Sequence, residues 1–331
     1  MAIPHPKIIF GSVTFWATNA EETETHLKLL EELGVKDIDC AEGYGKAEEN
    51  LGKTNAPSRF NVDTKCSAAM GPDFMTKDVV LDHAKESLRK LGAKSVDVYY
   101  LHAPDRRVPL EGSLEAMDIL YRGGSFKRFG LSNYLPHEVE EVVRICKERD
   151  FVLPSVYQGN YSPIARRPDA ELFPVLRKHN IAFYAYSPLA GGFLTKTREM
   201  LVSGLAEGRW HPSTDLGKLY GSLYNKPNYL DALDQWGMIA DQEGISKAEL
   251  AYRWVAFNSH VQADLGDAVI FGAFKEPHYR ETVDWLRKGP VSTSAAKSID
   301  KVWELVKNDA IWDNFNNYVE NNRFKKIGEG W

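Results

Sequence analysis

A chain of 331 residues that is 43% hydrophobic and 26% charged can build one large domain or two ordinary ones, and it has the balance of a soluble globular protein. A net charge of −5, with both signs interspersed, excludes the basic footprint of a nucleic-acid binder. No apolar run reaches the roughly 18 residues of a membrane span, and the N-terminus shows no basic segment followed by an apolar one. A cytoplasmic protein without nucleic-acid or membrane partners is expected. The three cysteines, Cys40, Cys66 and Cys146, are odd in number and lack a Cys-x-x-Cys pair, which predicts reduced, packed thiols.

Short β-rich runs alternate with amphipathic patterns along the chain. Strand Ile8–Phe10 precedes a helix from about Glu21 to Leu33, stopped by Gly34. Strand Asp37–Asp39 leads to a short helix around Glu48–Leu51. Strand Phe60–Lys65 is followed by helix Lys77–Leu91, and strand Val96–Leu101 by helix Leu110–Tyr121. Strand Phe129–Leu131 precedes helix Pro136–Arg149, and strand Val156–Gln158 precedes helix Asp169–His179. The seventh strand is Ile181–Tyr186. An irregular stretch follows from Ser187 to Pro227, then helices Tyr229–Glu243 and Lys247–Phe257, the eighth strand Ala268–Phe271, and another helix.

Eight strands alternating with helices, with no Pro/Ser-rich linker, predict an α/β fold, a single (β/α)8 TIM barrel over residues 1–331. Residues 187–227 form a long loop within it, and 290–331 a C-terminal helical extension. A doubly wound dinucleotide fold needs Gly-x-Gly-x-x-Gly after its first strand, and none is present. Barrel chemistry sits at the C-terminal ends of the strands. Asp39, Lys65 and His102 fall there on strands two, three and four, with Tyr44 on the loop after strand two.

These four residues suit proton transfer to a carbonyl oxygen. A phenol titrates near 10. A neighbouring ammonium is expected to lower that value, and a carboxylate keeps the ammonium charged and in place. A histidine donates a hydrogen bond to the carbonyl. Cys40 and Cys66, each next to one of these residues, are expected to point to the outer layer, because strand side chains alternate.

The order Asp39…Tyr44…Lys65…His102, within Asp-x-Ala-Glu-x-Tyr-Gly, Asp-Thr-Lys and Tyr-Leu-His-Ala-Pro-Asp105, resembles the aldo-keto reductases. Gly130-Leu-Ser-Asn-Tyr134 and Phe183-Tyr-Ala-Tyr-Ser-Pro-Leu-Ala-Gly-Gly-Phe-Leu-Thr195 resemble the aflatoxin-aldehyde reductase branch. The resemblance implies Tyr44 as general acid, tuned by Lys65 and Asp39, with His102 orienting the carbonyl. It implies that Ser132, Asn133 and Gln158 hold a nicotinamide carboxamide, that Tyr186 stacks on the ring, and that Ser187, Leu189, Gly191 and Gly192 cradle a pyrophosphate. The implied cofactor is NADPH rather than NADH, with Lys275, Arg280 and Arg209 as phosphate-binding cations.

Three departures from the family pattern bear on specificity. Phe274 stands where a small hydroxyl residue is usual, and Lys196 is displaced by one position within Thr195-Lys196-Thr197. Asn316 lies near the place of an arginine that holds carboxylated aldehydes in some relatives. With Phe15, Trp16, Trp210 and Tyr224 as pocket candidates, a bulky or aromatic aldehyde is the expected substrate. A homodimer is the expected assembly. A metal-dependent hydrolase is disfavoured by the absence of His-x-His and His-Glu-x-x-His, so no metal is expected. The alternative is a non-catalytic, nucleotide-binding subunit resembling those of potassium channels.

Overall fold

The computed structural model describes residues 4–204 and 210–320. Eight parallel strands close into a barrel in sequence order. They are β1 Lys7–Gly11, β2 Asp37–Asp39, β3 Asn61–Cys66, β4 Val96–Leu101, β5 Phe126–Ser132, β6 Pro154–Asn160, β7 Ala182–Tyr186 and β8 Ala268–Phe271. The ring closes where Ile9 pairs with Ile270, between β1 and β8.

Alternation along these strands makes two cores. Ile9, Val98, Tyr100, Val156, Tyr184, Ala268 and Ile270 fill the barrel interior. Phe10, Ile38, Cys40, Cys66 and Leu101 face the opposite way, into the layer beneath the helices. Both cysteines therefore sit in the outer layer, as their positions beside Asp39 and Lys65 predict.

The helices begin and end where local chemistry directs. Asn19 and Glu22 form a reciprocal capping box for Ala20–Glu32, each side chain accepting the other's backbone N–H at 2.9 Å. Lys77–Leu91 buries Val80, Ala84, Ser87 and Leu91 at helical spacing and stops at Gly92, φ 61°. The segment expected as helix Asp169–His179 is instead two short helices, Pro168–Glu171 and Phe173–Lys178. Pro174 has no N–H for a continuous ladder, so the break falls just before it.

The described residues of the stretch from Ser187 to Pro227 are not irregular throughout. They contain the 3₁₀ turn Ala190–Thr195 and the helices Arg198–Val202 and Asp215–Tyr224. Gly217 and Gly221 mask the last of these in the sequence. A Cβ on Gly217 would lie 2.0 Å from the His211 carbonyl oxygen, so close packing demands that glycine. The C-terminal extension supplies helix Thr293–Val306, which buries Ala295, Ile299, Val302 and Val306. Among the described residues no helix is long and apolar enough to cross a membrane.

Candidate active site

The strand ends bring the four expected residues together. Asp39 ends β2, Lys65 is the penultimate residue of β3, and His102 directly follows β4. Lys65 Nζ donates to Asp39 Oδ1 at 2.6 Å and to the Cys40 carbonyl at 2.7 Å, and this ion pair is buried on both sides. Burial pulls the Lys65 ammonium down. Asp39 and Tyr44 together outweigh it and leave the group above its ordinary value, so Lys65 carries its charge. The ammonium lies 5.0 Å from the centre of the Tyr44 ring, and that ring meets His102 edge-on at 5.9 Å.

The tuning of Tyr44 runs opposite to the simplest expectation. Burial raises the phenol, Lys65 lowers it and Asp39 raises it again, with a net rise to about 12. Desolvation of a phenolate outweighs the ammonium. Tyr44 is accordingly held as a neutral O–H donor throughout the neutral range, and Lys65 limits how far the acid weakens. His102 is pushed well below its ordinary value by burial and then by Lys65, so its imidazole is neutral.

Ser67 is a residue that the sequence analysis missed. Its Oγ lies 2.7 Å from His102 Nδ1. For His102 Nε2 to donate to a carbonyl, Nδ1 must be the acceptor, so Ser67 must give its hydroxyl proton to Nδ1. Its signal was available only in part: Ser67 stands two residues beyond Lys65, but one past the end of β3, where strand alternation no longer assigns a face. Ser67→Ala is expected to lower kcat by roughly tenfold, the worth of one such hydrogen bond, with little change in cofactor affinity. Stopped-flow and binding titrations check this; an unchanged kcat would remove Ser67 from its positioning role.

The residues expected around the nicotinamide bond to the catalytic four in two sets, one at His102 and one at Asp39. Ser132 ends β5 and Asn133 follows with φ 61°, a conformation asparagine tolerates. Asn133 Nδ2 donates to the His102 carbonyl at 2.8 Å and to Ser132 Oγ at 3.2 Å, and Tyr186 Oη donates to Asn133 Oδ1 at 2.8 Å. Gln158, expected at the end of its strand, lies two residues before the end of β6 at Asn160. Its Nε2 donates to Asp39 Oδ1 at 2.7 Å, so it also supports the carboxylate behind Lys65. Asn316 Nδ2 donates to the Asn133 carbonyl at 2.9 Å, and its Oδ1 accepts from Arg106 at 2.8 Å. Neither Arg106 nor this role for Asn316 was legible in the sequence.

After β7, Ser187, Ala190, Gly191 and Gly192 all take positive φ, with Leu189 between them at φ −94°. A Cβ on Gly191 would lie 2.3 Å from the Tyr220 ring. Trp210 donates its indole N–H to the Gly191 carbonyl at 2.8 Å and stacks on Tyr220 at 5.4 Å. Gly191→Ala is therefore expected to destabilise the protein by about 1–3 kcal/mol through overpacking, added to strain at φ 66°. A lowered Tm measures it; an unchanged Tm would show that the aromatic clamp yields.

The expected pocket and phosphate residues divide. Trp16 is half-buried with its ring packed over Gly45, the residue after Tyr44, where a Cβ would meet the Trp16 carbonyl oxygen at 2.7 Å. Phe15 is instead fully buried against Phe10 and His26, beneath the helices. Tyr224 is likewise buried, stacked on Phe193 at 5.5 Å, and serves packing rather than a pocket wall. Arg280 is exposed and paired with Glu276 and Glu32 at 2.8 and 3.0 Å. Lys275 is exposed at the N-cap of helix Glu276–Trp285. Arg209 lies outside the described residues.

The sequence comparisons point to one family. The model of the aldo/keto reductase family matches residues 7–304. The oxidoreductase sirO of Leptosphaeria maculans is 35% identical over 318 residues, covering 92% of this chain and 96% of its own. An aldo-keto reductase of Pseudocercospora fijiensis is 35% identical over 289 residues, 85% of this chain and 97% of its own. Human aflatoxin B1 aldehyde reductase member 4 is 33% identical over 287 residues, with 83% and 86% covered. With a closed eight-stranded barrel and a buried Asp39–Lys65 pair beside Tyr44 and His102, the chain belongs to the aldo/keto reductase family of oxidoreductases.

Proposed function

We propose that this protein reduces an aldehyde or ketone to an alcohol with NADPH, and that Tyr44 protonates the carbonyl oxygen. The observation that carries this reading is the Tyr44 ring set 5.0 Å from the ammonium of the buried Lys65–Asp39 pair and edge-on to His102. The donor set suits a nicotinamide: Ser132, Asn133 and Gln158 offer a hydroxyl and two amides beside the tetrad, and Tyr186 presents a ring held by Asn133. A bound nicotinamide would supply hydride to the carbonyl carbon. His102 Nε2 and the Tyr44 hydroxyl both donate to the carbonyl oxygen, which polarises the bond. As negative charge develops there, the Tyr44 proton transfers and Lys65 stabilises the resulting phenolate.

The pyrophosphate falls to Ser187, Leu189, Gly191 and Gly192, a turn in which Ser187 and Ala190 to Gly192 take positive φ and the two glycines carry no Cβ to block close approach. For the 2′-phosphate, Lys275 at a helix N-terminus is the better-placed cation, because the helix dipole adds to its charge. Lys275→Ala is expected to weaken NADPH binding by roughly tenfold while leaving NADH binding unchanged. Fluorescence-quenching titrations with both cofactors decide it, and equal losses for the two would assign the phosphate elsewhere. Trp16, half-buried where its ring packs over Gly45, the residue after Tyr44, supports a bulky or aromatic aldehyde as substrate, whereas Trp210 is buried against Phe193 and Tyr220 and serves packing.

A further inference from the structure

A second cluster of reactive side chains stands outside the tetrad. Glu42 comes from the loop after β2, Cys66 from the end of β3, and His83 from the middle of helix Lys77–Leu91. One potential ligand atom from each lies within 4.8 Å of the others. Glu42 Oε1 is 2.9 Å from His83 Nδ1, and Cys66 Sγ is 3.9 Å from the same nitrogen. We propose that Glu42, Cys66 and His83 form a binding site for a thiophilic divalent cation of the Zn²⁺ class.

The donor set is one that borderline-soft cations select: a thiolate, an imidazole and a carboxylate. Bonds of about 2.3 Å to sulfur and about 2.0 Å to nitrogen or oxygen place tetrahedral ligands roughly 3.3–3.7 Å apart. The Cys66–His83 spacing is already close to that span, and Glu42 and His83 need separate by only about half an ångström. In the empty arrangement His83 and Glu42 hydrogen-bond each other, so the ligands are gathered before a cation arrives. His83 Nε2 lies 3.8 Å from Asp73 Oδ2, beyond hydrogen-bond distance but with a carboxylate on the side away from Glu42 and Cys66. Cys66 is fully buried, while the Glu42 and His83 side chains keep 16% and 27% exposure, which leaves a path and a fourth position for water. The sequence concealed the site because its ligands come from three segments with no short spacing motif.

The site also touches the chemistry. The Glu42 carboxylate accepts the Ser67 backbone N–H, and the Ser67 hydroxyl meets His102. A cation drawing on Glu42 would therefore act on the residue that orients the catalytic imidazole.

The test is titration of the chelator-stripped full chain with Co²⁺, followed by Zn²⁺ displacement. The expected result is about one equivalent of bound Co²⁺ with a thiolate-to-cobalt charge-transfer band that Zn²⁺ abolishes. Cys66→Ser should lose the band, Cys146→Ser should keep it, and His83→Gln should weaken binding at least roughly tenfold, as loss of one ligand requires. Should Cys66→Ser fail to fold, the wild-type band and the half-exposed His83 variant still decide the matter. No band in the wild type, a band retained in folded Cys66→Ser, or wild-type affinity in His83→Gln would each overturn the proposal. None of these readouts requires turnover, so they stand apart from the assignment of carbonyl reduction.

Discussion

Tyr44→Phe is expected to reduce kcat for carbonyl reduction by on the order of 10²–10⁴-fold while the affinity for NADPH stays within about twofold. The change removes one hydroxyl and keeps the ring that packs between Lys65 and His102, so the barrel and cofactor site should be undisturbed. The proton has no replacement donor of the same kind. His102 is held neutral and well below its ordinary pKa, so it has no extra proton to give near neutrality. The pH profile makes the same point. Because burial raises the phenol above its ordinary value, reduction by the wild type should show no loss of acid from Tyr44 across the neutral range. Turnover of Tyr44→Phe equal to the wild type would falsify the acid assignment.

Lys65→Met should show the second large effect, on stability and activity together. The wild-type pair is buried on both sides, and among the described residues Asp39 would keep only the Gln158 amide when the ammonium is removed. Breaking a buried ion pair from one side costs about 3–5 kcal/mol, because the remaining charge is left without its counter-charge. Activity should fall by on the order of 10²-fold or more, since the phenolate formed on proton transfer loses its stabilising charge. Linkage fixes the sign of the pH dependence. Lys65 is raised above its ordinary 10.5 in the folded state, so its stabilisation is present below that value and is lost as pH rises through the folded value. Alkaline pH should therefore narrow the difference in Tm between wild type and variant. A Tm difference that stays constant into that range would contradict the charge assigned to Lys65.

The sequence showed the barrel because its signals were local. Glycine stops, as at Gly92, and the alternation that places Lys65 inward and Cys66 outward are read within a few residues. Lys77–Leu91, Val96–Leu101 and Pro136–Arg149 keep their expected bounds for that reason. Helix Asp215–Tyr224 was hidden because its glycines answer to a distant constraint, the His211 carbonyl against Gly217. The same distinction holds at the site. The order of Asp39, Tyr44, Lys65 and His102 is visible along the chain, but the sign of the Tyr44 shift depends on burial, which spacing does not report. Ser67 against His102, Gln158 against Asp39 and Asn316 against Asn133 bring together residues separated by 35, 119 and 183 positions, and only the closed barrel brings them within reach. Phe15 and Tyr224 show the converse: aromatic character alone does not distinguish a pocket wall from the core.

The central claim, that this barrel turns over carbonyls rather than only holding a nucleotide, is tested most directly by steady-state oxidation of NADPH against a panel of aliphatic and aromatic aldehydes. The expected result is saturable NADPH oxidation that depends on the aldehyde, with higher kcat/KM for the bulky or aromatic members. Tight NADPH binding with no aldehyde- or ketone-dependent oxidation would contradict it.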